Sequence, residues 1–131
     1  MLIRTLAAIG LLSTLAMPVA AAATFVQATA LAGIATVIVN LQDGNIFACP
    51  NLTSVTGVPL GDCTRIGAIG LAGVGGLASN VQITVSNSNA AITNLTNGHV
   101  QLCSFLMNVT TSPAGPTAAN LIGSCKRSQA F

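Results

Sequence analysis

Apolar and polar positions alternate over short stretches of this chain, as they do in half-buried β-strands. The clearest case is the run in which Val81, Ile83 and Val85 alternate with polar residues. A period of two places one set of side chains on each face of a sheet, so this run predicts a strand. A polar turn at 87–89 and an apolar stretch at 92–95 follow, and they predict a second short strand.

A third strand is predicted for residues 99–109, directly after the dipeptide Asn97-Gly98. Asn and Gly both tolerate positive φ, so this pair predicts a type I′ hairpin turn. The predicted strand carries apolar side chains at both parities, with Leu102 and Leu106 on one side and Phe105 on the other. We therefore expect a central strand that is covered on both faces.

This succession of elements occurs twice in the chain. Residues 38–56 align with 92–110 without a gap, and eight of the nineteen positions are identical. The identical pairs are Ile38/Ile92, Asn40/Asn94, Leu41/Leu95, Gly44/Gly98, Cys49/Cys103, Leu52/Leu106, Val55/Val109 and Thr56/Thr110. Beyond them, residues 26–29 resemble 81–84 after a slip of one residue, and residues 61–65 resemble 123–127. About one or two identities would arise by chance, so we infer a tandem duplication.

The duplication predicts the organisation of the whole domain. Copy one spans residues 24–65, a linker spans 66–78, and copy two spans 79–127. Each copy is predicted to be a three-stranded meander followed by a loop that is closed by cysteines. A unit this short buries too little apolar surface to be stable alone. We therefore expect an all-β, sandwich-like fold in which two pseudo-equivalent units share one core.

The linker at 66–78 is apolar and contains five glycines in thirteen residues. At about 1 kcal/mol for each glycine, a helix is disfavoured there. We interpret the segment as an apolar linker pressed onto the sheets. An exposed segment that docks on another subunit and a short helix packed through its glycines are the alternatives.

Residues 1–22 have the composition of a signal peptide. Arg4 supplies a positive charge, residues 5–17 are mostly apolar, and small residues follow at 18–22. We expect cleavage near Ala22, which leaves one domain at 23–131. The apolar stretch at 5–17 is too short to span a bilayer, and we expect no transmembrane segment in the mature chain. A buried N-terminal helix and an uncleaved membrane anchor are the alternatives.

The four cysteines are typical of an exported, oxidised protein. We favour the pairing Cys49–Cys63 and Cys103–Cys125, one disulfide in each copy, because each closes a short loop rich in turn residues. Each such bond contributes about 3 kcal/mol by the loop-entropy model. Pairing Cys49 with Cys125 and Cys63 with Cys103 respects the repeat equally well. Free or metal-binding thiols are a third interpretation.

Formal charge is nearly absent from the predicted mature chain. It contains Arg65, Lys126 and Arg127 against Asp43 and Asp62, and it has no Glu. Ordinary domains are about a quarter charged. No basic patch exists, and no Trp or Tyr provides a stacking platform, so nucleic-acid binding is not expected. Net charge near zero instead favours association between copies.

The sequence offers few groups for catalysis. The candidates for acid–base chemistry are Asp43, Asp62 and His99, and each is replaced by an uncharged residue in the other copy. A triad of Ser104, His99 and Asp62 has no supporting motif, and a metal site at His99 and Cys103 lacks the close cysteine pairs of structural zinc sites. We therefore predict no catalytic residues, no metal and no cofactor.

The charged position that the copies share is Arg65, which matches Arg127. Both follow the closing cysteine by two residues. We expect a structural role for these arginines, such as hydrogen bonds to loop carbonyls. Binding of an anionic ligand at two equivalent points is the alternative.

Three hypotheses for function follow. The first is a secreted, non-catalytic structural protein that self-associates as a coat or fibre subunit, or a component of the cell surface. The second is a small extracytoplasmic module that binds an apolar or carbohydrate ligand between its halves or in the longer loop at 104–124. The third is a minimal hydrolase that uses His99. The first two place the protein in the periplasm, at the cell surface or outside the cell.

Overall fold

The computed structural model describes residues 24–128, and the predicted signal peptide at 1–22 lies outside the described residues. This part of the chain forms strands β1 Phe25–Ala30, β2 Ala35–Asn40, β3 Asn45–Pro50, β4 Thr64–Ala68, β5 Val81–Ser86, β6 Asn89–Asn94, β7 Val100–Ser112 and β8 Gly115–Arg127. Short 3-10 segments lie at Leu31–Gly33 and Ala78–Asn80. The predicted all-β class is confirmed.

The strands form two antiparallel four-stranded sheets, one from each copy of the repeat. Sheet 1, or unit 1, has the order β1-β2-β3-β4, and sheet 2, or unit 2, has the order β5-β6-β7-β8. The two sheets pack on each other with β1 beside β5 and β4 beside β8, and one cluster of buried apolar residues fills the space between them. The predicted sandwich of two units with a shared core is therefore confirmed.

Each unit has one strand more than the predicted three-stranded meander. The segment Thr64–Ala68 pairs with β3, and Gly115–Arg127 pairs with β7. Gly115–Arg127 is rich in Gly, Ala, Asn and Pro, which have low intrinsic preference for strands, and Thr64–Ala68 is only five residues long and contains Gly67. The sequence therefore predicted loop or linker there. Pairing with a neighbouring strand outweighs that preference. The connection between the sheets is correspondingly shifted from the predicted 66–78 to residues 69–80.

Each sheet contains one disulfide, at equivalent positions of the repeat. Cys49 is bonded to Cys63 and Cys103 to Cys125, with Cα atoms 4.1 and 3.9 Å apart. The cysteines of each pair lie across from each other, on the third strand of the unit and on the chain that returns beside it. The favoured pairing is confirmed. The crossed pairing and the metal-binding or free thiols are wrong, because all four cysteines are consumed within their own units.

The hairpin turns between the second and third strands have the same backbone shape in both units. Gly44 has φ 78° and Gly98 has φ 77°. Their amides donate to the carbonyl oxygens of Asn40 and Asn94, at 2.8 and 2.9 Å. Only the glycine of each turn has positive φ, whereas a type I′ turn requires it at both central residues. The predicted turn positions are therefore correct and the predicted turn type is wrong.

Identical positions of the repeat face opposite sides in the two units. Ile92 is fully buried between the sheets, whereas Ile38, at the matching position, lies half-buried on the outside of sheet 1. The side chains that β2 buries are the alternate set, Val37 and Val39. A two-fold axis between the sheets would turn the same face of both units inward. The front of one sheet is instead stacked on the back of the other.

Equivalent strands also run in the same direction. Gly61 lies against Ala119, and further along the chain Gly67 lies against Cys125. Moving from Gly61 to Gly67 toward and into β4 is thus matched by moving the same number of residues from Ala119 to Cys125 along β8. The two strands are therefore parallel. Sheet 2 is therefore close to a translated copy of sheet 1, displaced along the sheet normal.

The connection at 69–80 crosses the end of the sandwich where the hairpin turns lie. It runs from one edge of sheet 1 to the opposite edge of sheet 2, across three strand spacings or about 14 Å. Ile69 and Val74 are buried in the core cluster, at 3% and 1% exposure. The side-chain amide of Asn94 donates to the carbonyl oxygens of Gly70 and Ala72, at 2.9 and 3.0 Å. The prediction of an apolar linker pressed onto the sheets is confirmed.

Strand β7 is covered on one face only. Cys103 and Phe105 are buried, whereas Leu102 and Leu106 on the other face are 52% and 60% exposed. The prediction of a doubly covered strand is wrong, because each sheet of a two-layer sandwich has a single inner face. Residues 113 and 114 form the tip of the β7–β8 hairpin.

Candidate functional site

The titratable side chains considered for catalysis lie in turns and loops. Asp43 accepts a hydrogen bond from the backbone amide of Asn45 at 2.9 Å, within the β2–β3 turn. Asn97 makes the same contact with the amide of His99 at 3.0 Å in unit 2. Asp62 lies exposed in the loop before β4. The contact that Asp43 makes is therefore one that an uncharged amide makes equally well.

The two arginines shared by the copies make equivalent contacts. The Arg65 side chain donates to Oδ1 of Asn45 at 2.8 Å, and an Arg127 side-chain nitrogen lies 2.8 Å from Nε2 of His99. Asn45 and His99 occupy the same position of the repeat, directly after the turn glycine. In each unit the last strand is thus tied to the start of the third strand. The partners are side chains rather than the loop carbonyls that the sequence suggested.

The considered triad does not assemble. Five residues of extended chain separate His99 from Ser104, which corresponds to about 17 Å and exceeds hydrogen-bonding distance. Asp62 belongs to the other unit. The considered metal site loses Cys103 to its disulfide. Within residues 24–128, no three side chains of His, Cys, Asp or Glu lie close enough together to hold a metal ion.

The outer face of sheet 2, hereafter outer face 2, carries the outward side chains of β5–β8. Leu106 pairs directly with Ile122 on the next strand, and these side chains are 60% and 55% exposed. Leu102, also on this face, pairs with Lys126. Lys126 is the one formal charge that the described strands place on this face. Outer face 2 therefore carries an exposed apolar pair in the middle of its β7–β8 hairpin, flanked by the polar pairs Ser104/Ser124 and Asn108/Asn120.

The outer face of sheet 1, hereafter outer face 1, carries the outward side chains of β1–β4. Phe25 is 50% exposed, and Ile38 and Phe47 are half-buried. A shallow depression of about 470 Å³ lies among these three side chains and their polar neighbours. Phe47 pairs with Arg65, which is the formal charge that the described strands contribute to this face. Outer face 1 thus combines an apolar depression with a single cation.

The sequence placed Leu102 and Leu106 on one face of β7, and the disulfide indicates that this face lies outward. Ser104 lies between Leu102 and Leu106, and residues of equal parity share a face of a strand. A disulfide that joins Cys103 to the neighbouring strand inside the core leaves this even-numbered set pointing outward. Ile122 was missed because its strand was interpreted as a loop.

Comparison with known proteins finds no matching family model, no matching curated protein and no matching solved structure. Over residues 24–128, no helix has the length and apolar character needed to cross a membrane. The two disulfides are compatible with an extracytoplasmic location, because disulfides persist in oxidising compartments.

Proposed function

We propose that the protein is an exported, non-catalytic structural protein that self-associates as a coat or fibre subunit on or beyond the cell surface. The observation that carries this proposal is the group of exposed apolar side chains on outer face 2, where Leu102, Leu106 and Ile122 are each more than half exposed. Leu106 and Ile122 are direct cross-strand neighbours, and the pair Ser104 and Ser124 separates them from Leu102. Large apolar side chains that lie this exposed on one face are typical of interaction sites. A self-associating protein buries it against another copy.

The charge distribution supports the same proposal. Charged residues make up 5% of the chain, so copies that approach one another meet little electrostatic repulsion. Outer faces 1 and 2 carry one cation each, Arg65 and Lys126. The rest of the surface is rich in uncharged polar side chains, namely Thr, Ser, Asn and Gln. These side chains can form hydrogen bonds across an interface without the cost of desolvating an ion.

The edge of sheet 2 adds a second route to association. Strand β8 is thirteen residues long and lies at the edge of its sheet, and no formal charge occurs in it before Lys126. Natural edge strands are usually protected by Lys, by Pro or by short length. Pro116 lies near one end of β8, and Lys126 and Arg127 lie at the other. The uncharged edge therefore spans residues 117–125, and an edge of this length is consistent with a protein that assembles.

The test is size-exclusion chromatography with light scattering across a concentration series. Material exported by the expression host should show a molar mass that rises with concentration from the monomer upward. A protein that stays monomeric up to millimolar concentration would contradict the proposal.

The alternative is a small binding module for an apolar or carbohydrate ligand. Buried side chains occupy the space between the halves, and residues 104–124 form a hairpin rather than a loop. The depression among Phe25, Ile38 and Phe47 is therefore the place for such a ligand. This alternative predicts a stable monomer that binds a short alkyl glycoside saturably. Phe47→Ala should abolish that binding while leaving the thermal transition within a few degrees.

A further inference from the structure

The relation between the two units determines which surfaces remain free. We define face A as the side of a unit that carries Val37 in unit 1 and, at the matching position, Ala91 in unit 2. Face B is the opposite side, which carries Ile38 in unit 1 and Ile92 in unit 2. Inside the molecule, face A of unit 1 packs on face B of unit 2. Outer face 1 is therefore face B of unit 1, and outer face 2 is face A of unit 2.

The free faces are thus the same two kinds of surface that already meet in the core. In a sandwich with two-fold symmetry, both free faces would be of one kind. In this stack one free face is of kind A and the other is of kind B. A contact that repeats the one in the core therefore joins the free face A of one molecule to the free face B of another. Contacts between unlike faces are heterologous, and when the relation is a translation they do not close into a ring.

The disulfides provide a direct comparison of the buried and free versions of face B. Cys103–Cys125 lies on the buried version, where Cys125 is so close to Gly67 of unit 1 that an added Cβ would lie 2.5 Å from the cysteine Cβ. Cys49–Cys63 occupies the same place on the free version, and Cys63 is exposed. The element that contacts the neighbouring sheet inside the molecule is therefore presented again on the outside.

Side-chain character follows the same rule on face A. Ile46 and Ala48 are fully buried on face A of unit 1. The matching positions of unit 2 are Val100 and Leu102, which are apolar although they face outward. The buried Val37 and Val39 are matched by Ala91 and Thr93, so the apolar correspondence is strongest along β3 and β7.

We propose that a second copy of the chain stacks face A of its unit 2 on face B of unit 1, so that molecules repeat head to tail the contact that holds their own units together. This inference rests on the proposed self-association and specifies its geometry. The product is an open stack of sheets in which every layer has the same orientation. Its two ends differ, because one exposes face A and the other exposes face B.

Two substitutions block the two faces separately. Leu102→Glu changes face A of unit 2 and places a carboxylate opposite Lys126, and Phe47→Glu changes face B of unit 1 and places one opposite Arg65. Each added charge has a cation across the strand pair, so the fold tolerates it, while burial against another copy becomes unfavourable. Val58→Glu adds the same charge at a loop position that is 57% exposed, and it serves as the control.

Measured alone, each face variant should weaken self-association at least about tenfold relative to the unmodified protein, whereas the control should assemble as the unmodified protein does. An equimolar mixture of the two face variants should then form one-to-one dimers and nothing longer. In that dimer the intact face B of the Leu102→Glu chain meets the intact face A of the Phe47→Glu chain. Cooperative thermal unfolding verifies that each variant is folded. If Leu102→Glu does not fold, Leu102→Ser takes its place, and if Phe47→Glu does not fold, Phe47→Ser takes its place.

Four outcomes would overturn the inference while leaving the proposed self-association in place. A face variant that still dimerises alone would indicate contact between like faces. Two variants that assemble as the unmodified protein does would indicate edge-to-edge pairing. A mixture that stays monomeric would exclude the head-to-tail contact, and a control that dissociates would assign the effect to charge alone. If the unmodified protein is itself monomeric up to millimolar concentration, the proposed function fails together with the inference.

Discussion

Asn40 and Asn94 occupy the same position of the repeat, yet Asn94 is completely buried and Asn40 lies half-buried on the outside of sheet 1. Both side chains accept a hydrogen bond from the backbone amide two residues later, at 2.8 and 2.9 Å. Only Asn94 also donates, to the carbonyl oxygens of Gly70 and Ala72. One residue thus stabilises a turn in both units and, in unit 2, also fixes the connection between the sheets.

Asn94→Ala should lower the free energy of unfolding by about 2–4 kcal/mol, because it removes a completely buried side chain together with its hydrogen bonds to Gly70, Ala72 and the amide of Thr96. Asn40→Ala should lower it by about 1 kcal/mol, since water replaces the lost contact. Urea denaturation at a concentration where the protein is monomeric measures both values. Equal losses would contradict the different burial of the two side chains.

The stacking of front on back makes a second prediction at a matched pair. Ile92→Ala should cost about 2–5 kcal/mol, because it opens a cavity between the sheets. Ile38→Ala, at the same position of the repeat, should cost about 1 kcal/mol, because Ile38 is half-buried on the outside. Thermal unfolding monitored by circular dichroism compares the two variants. A larger loss for Ile38→Ala would be inconsistent with the orientation of unit 1.

The turn glycines separate backbone strain from close contact. Gly44 and Gly98 have the same φ, so alanine at either position carries a similar strain of about 1–2 kcal/mol. A Cβ at Gly98 meets nothing within 4 Å, whereas a Cβ at Gly44 overlaps the carbonyl oxygen of Ile69. Gly44→Ala should therefore be the more destabilising of the two, by at least about 1 kcal/mol. Chemical denaturation of both variants tests this, and equal effects would exclude the close approach of the connection to the turn.

The disulfides make different contributions to local order. Residues 51–62 contain one isolated bridge, between Thr53 and Pro59, and few backbone hydrogen bonds. Replacing Cys49 and Cys63 by Ala should raise amide exchange through that loop. Replacing Cys103 and Cys125 by Ala should leave the β7–β8 ladder protected, because its pairing continues on both sides of the bond. Hydrogen exchange with mass spectrometry distinguishes the two, and equal loss of protection in both units would contradict this prediction.

The sequence predicted what depends on local pattern and on the repeat. The alternation around Ile83, the turn glycines and the cysteine spacing gave the all-β class, the two units and the disulfide pairing. The strand register also agrees with the repeat at Arg65 and Arg127. Arg65 pairs with Phe47 and Arg127 pairs with Gln101, and Phe47 and Gln101 occupy the same position of the repeat.

The orientation of the units could not be predicted, because a repeat does not specify which of its faces is buried. The resemblance of residues 26–29 to 81–84 contained a hint. The sequence resemblance makes Val26 equivalent to Val81. The strand register instead makes Phe25 equivalent to Val81, because Phe25 pairs with Asn40 and Val81 pairs with the matching Asn94. A shift of one residue reverses the face of a strand. The slip is therefore how the first strand of each unit keeps its apolar side chains inward.

The fourth strands were missed for a different reason. Gly67 and Gly123 weaken any strand pattern, yet both lie where a side chain would collide with the neighbouring sheet or strand. A loop prediction for residues 104–124 also hides the pairing of Leu106 with Ile122, so the contribution of Ile122 to outer face 2 was missed.

The pairing of each cysteine with its nearest neighbour in the sequence has a consequence for maturation. As a chain emerges from a ribosome or a translocation pore, Cys63 follows Cys49 after 14 residues, and the native bond is available before Cys103 has appeared. The second pair follows in the same way, at a separation of 22 residues. An oxidase that joins thiols in their order of arrival would thus produce the native connectivity directly.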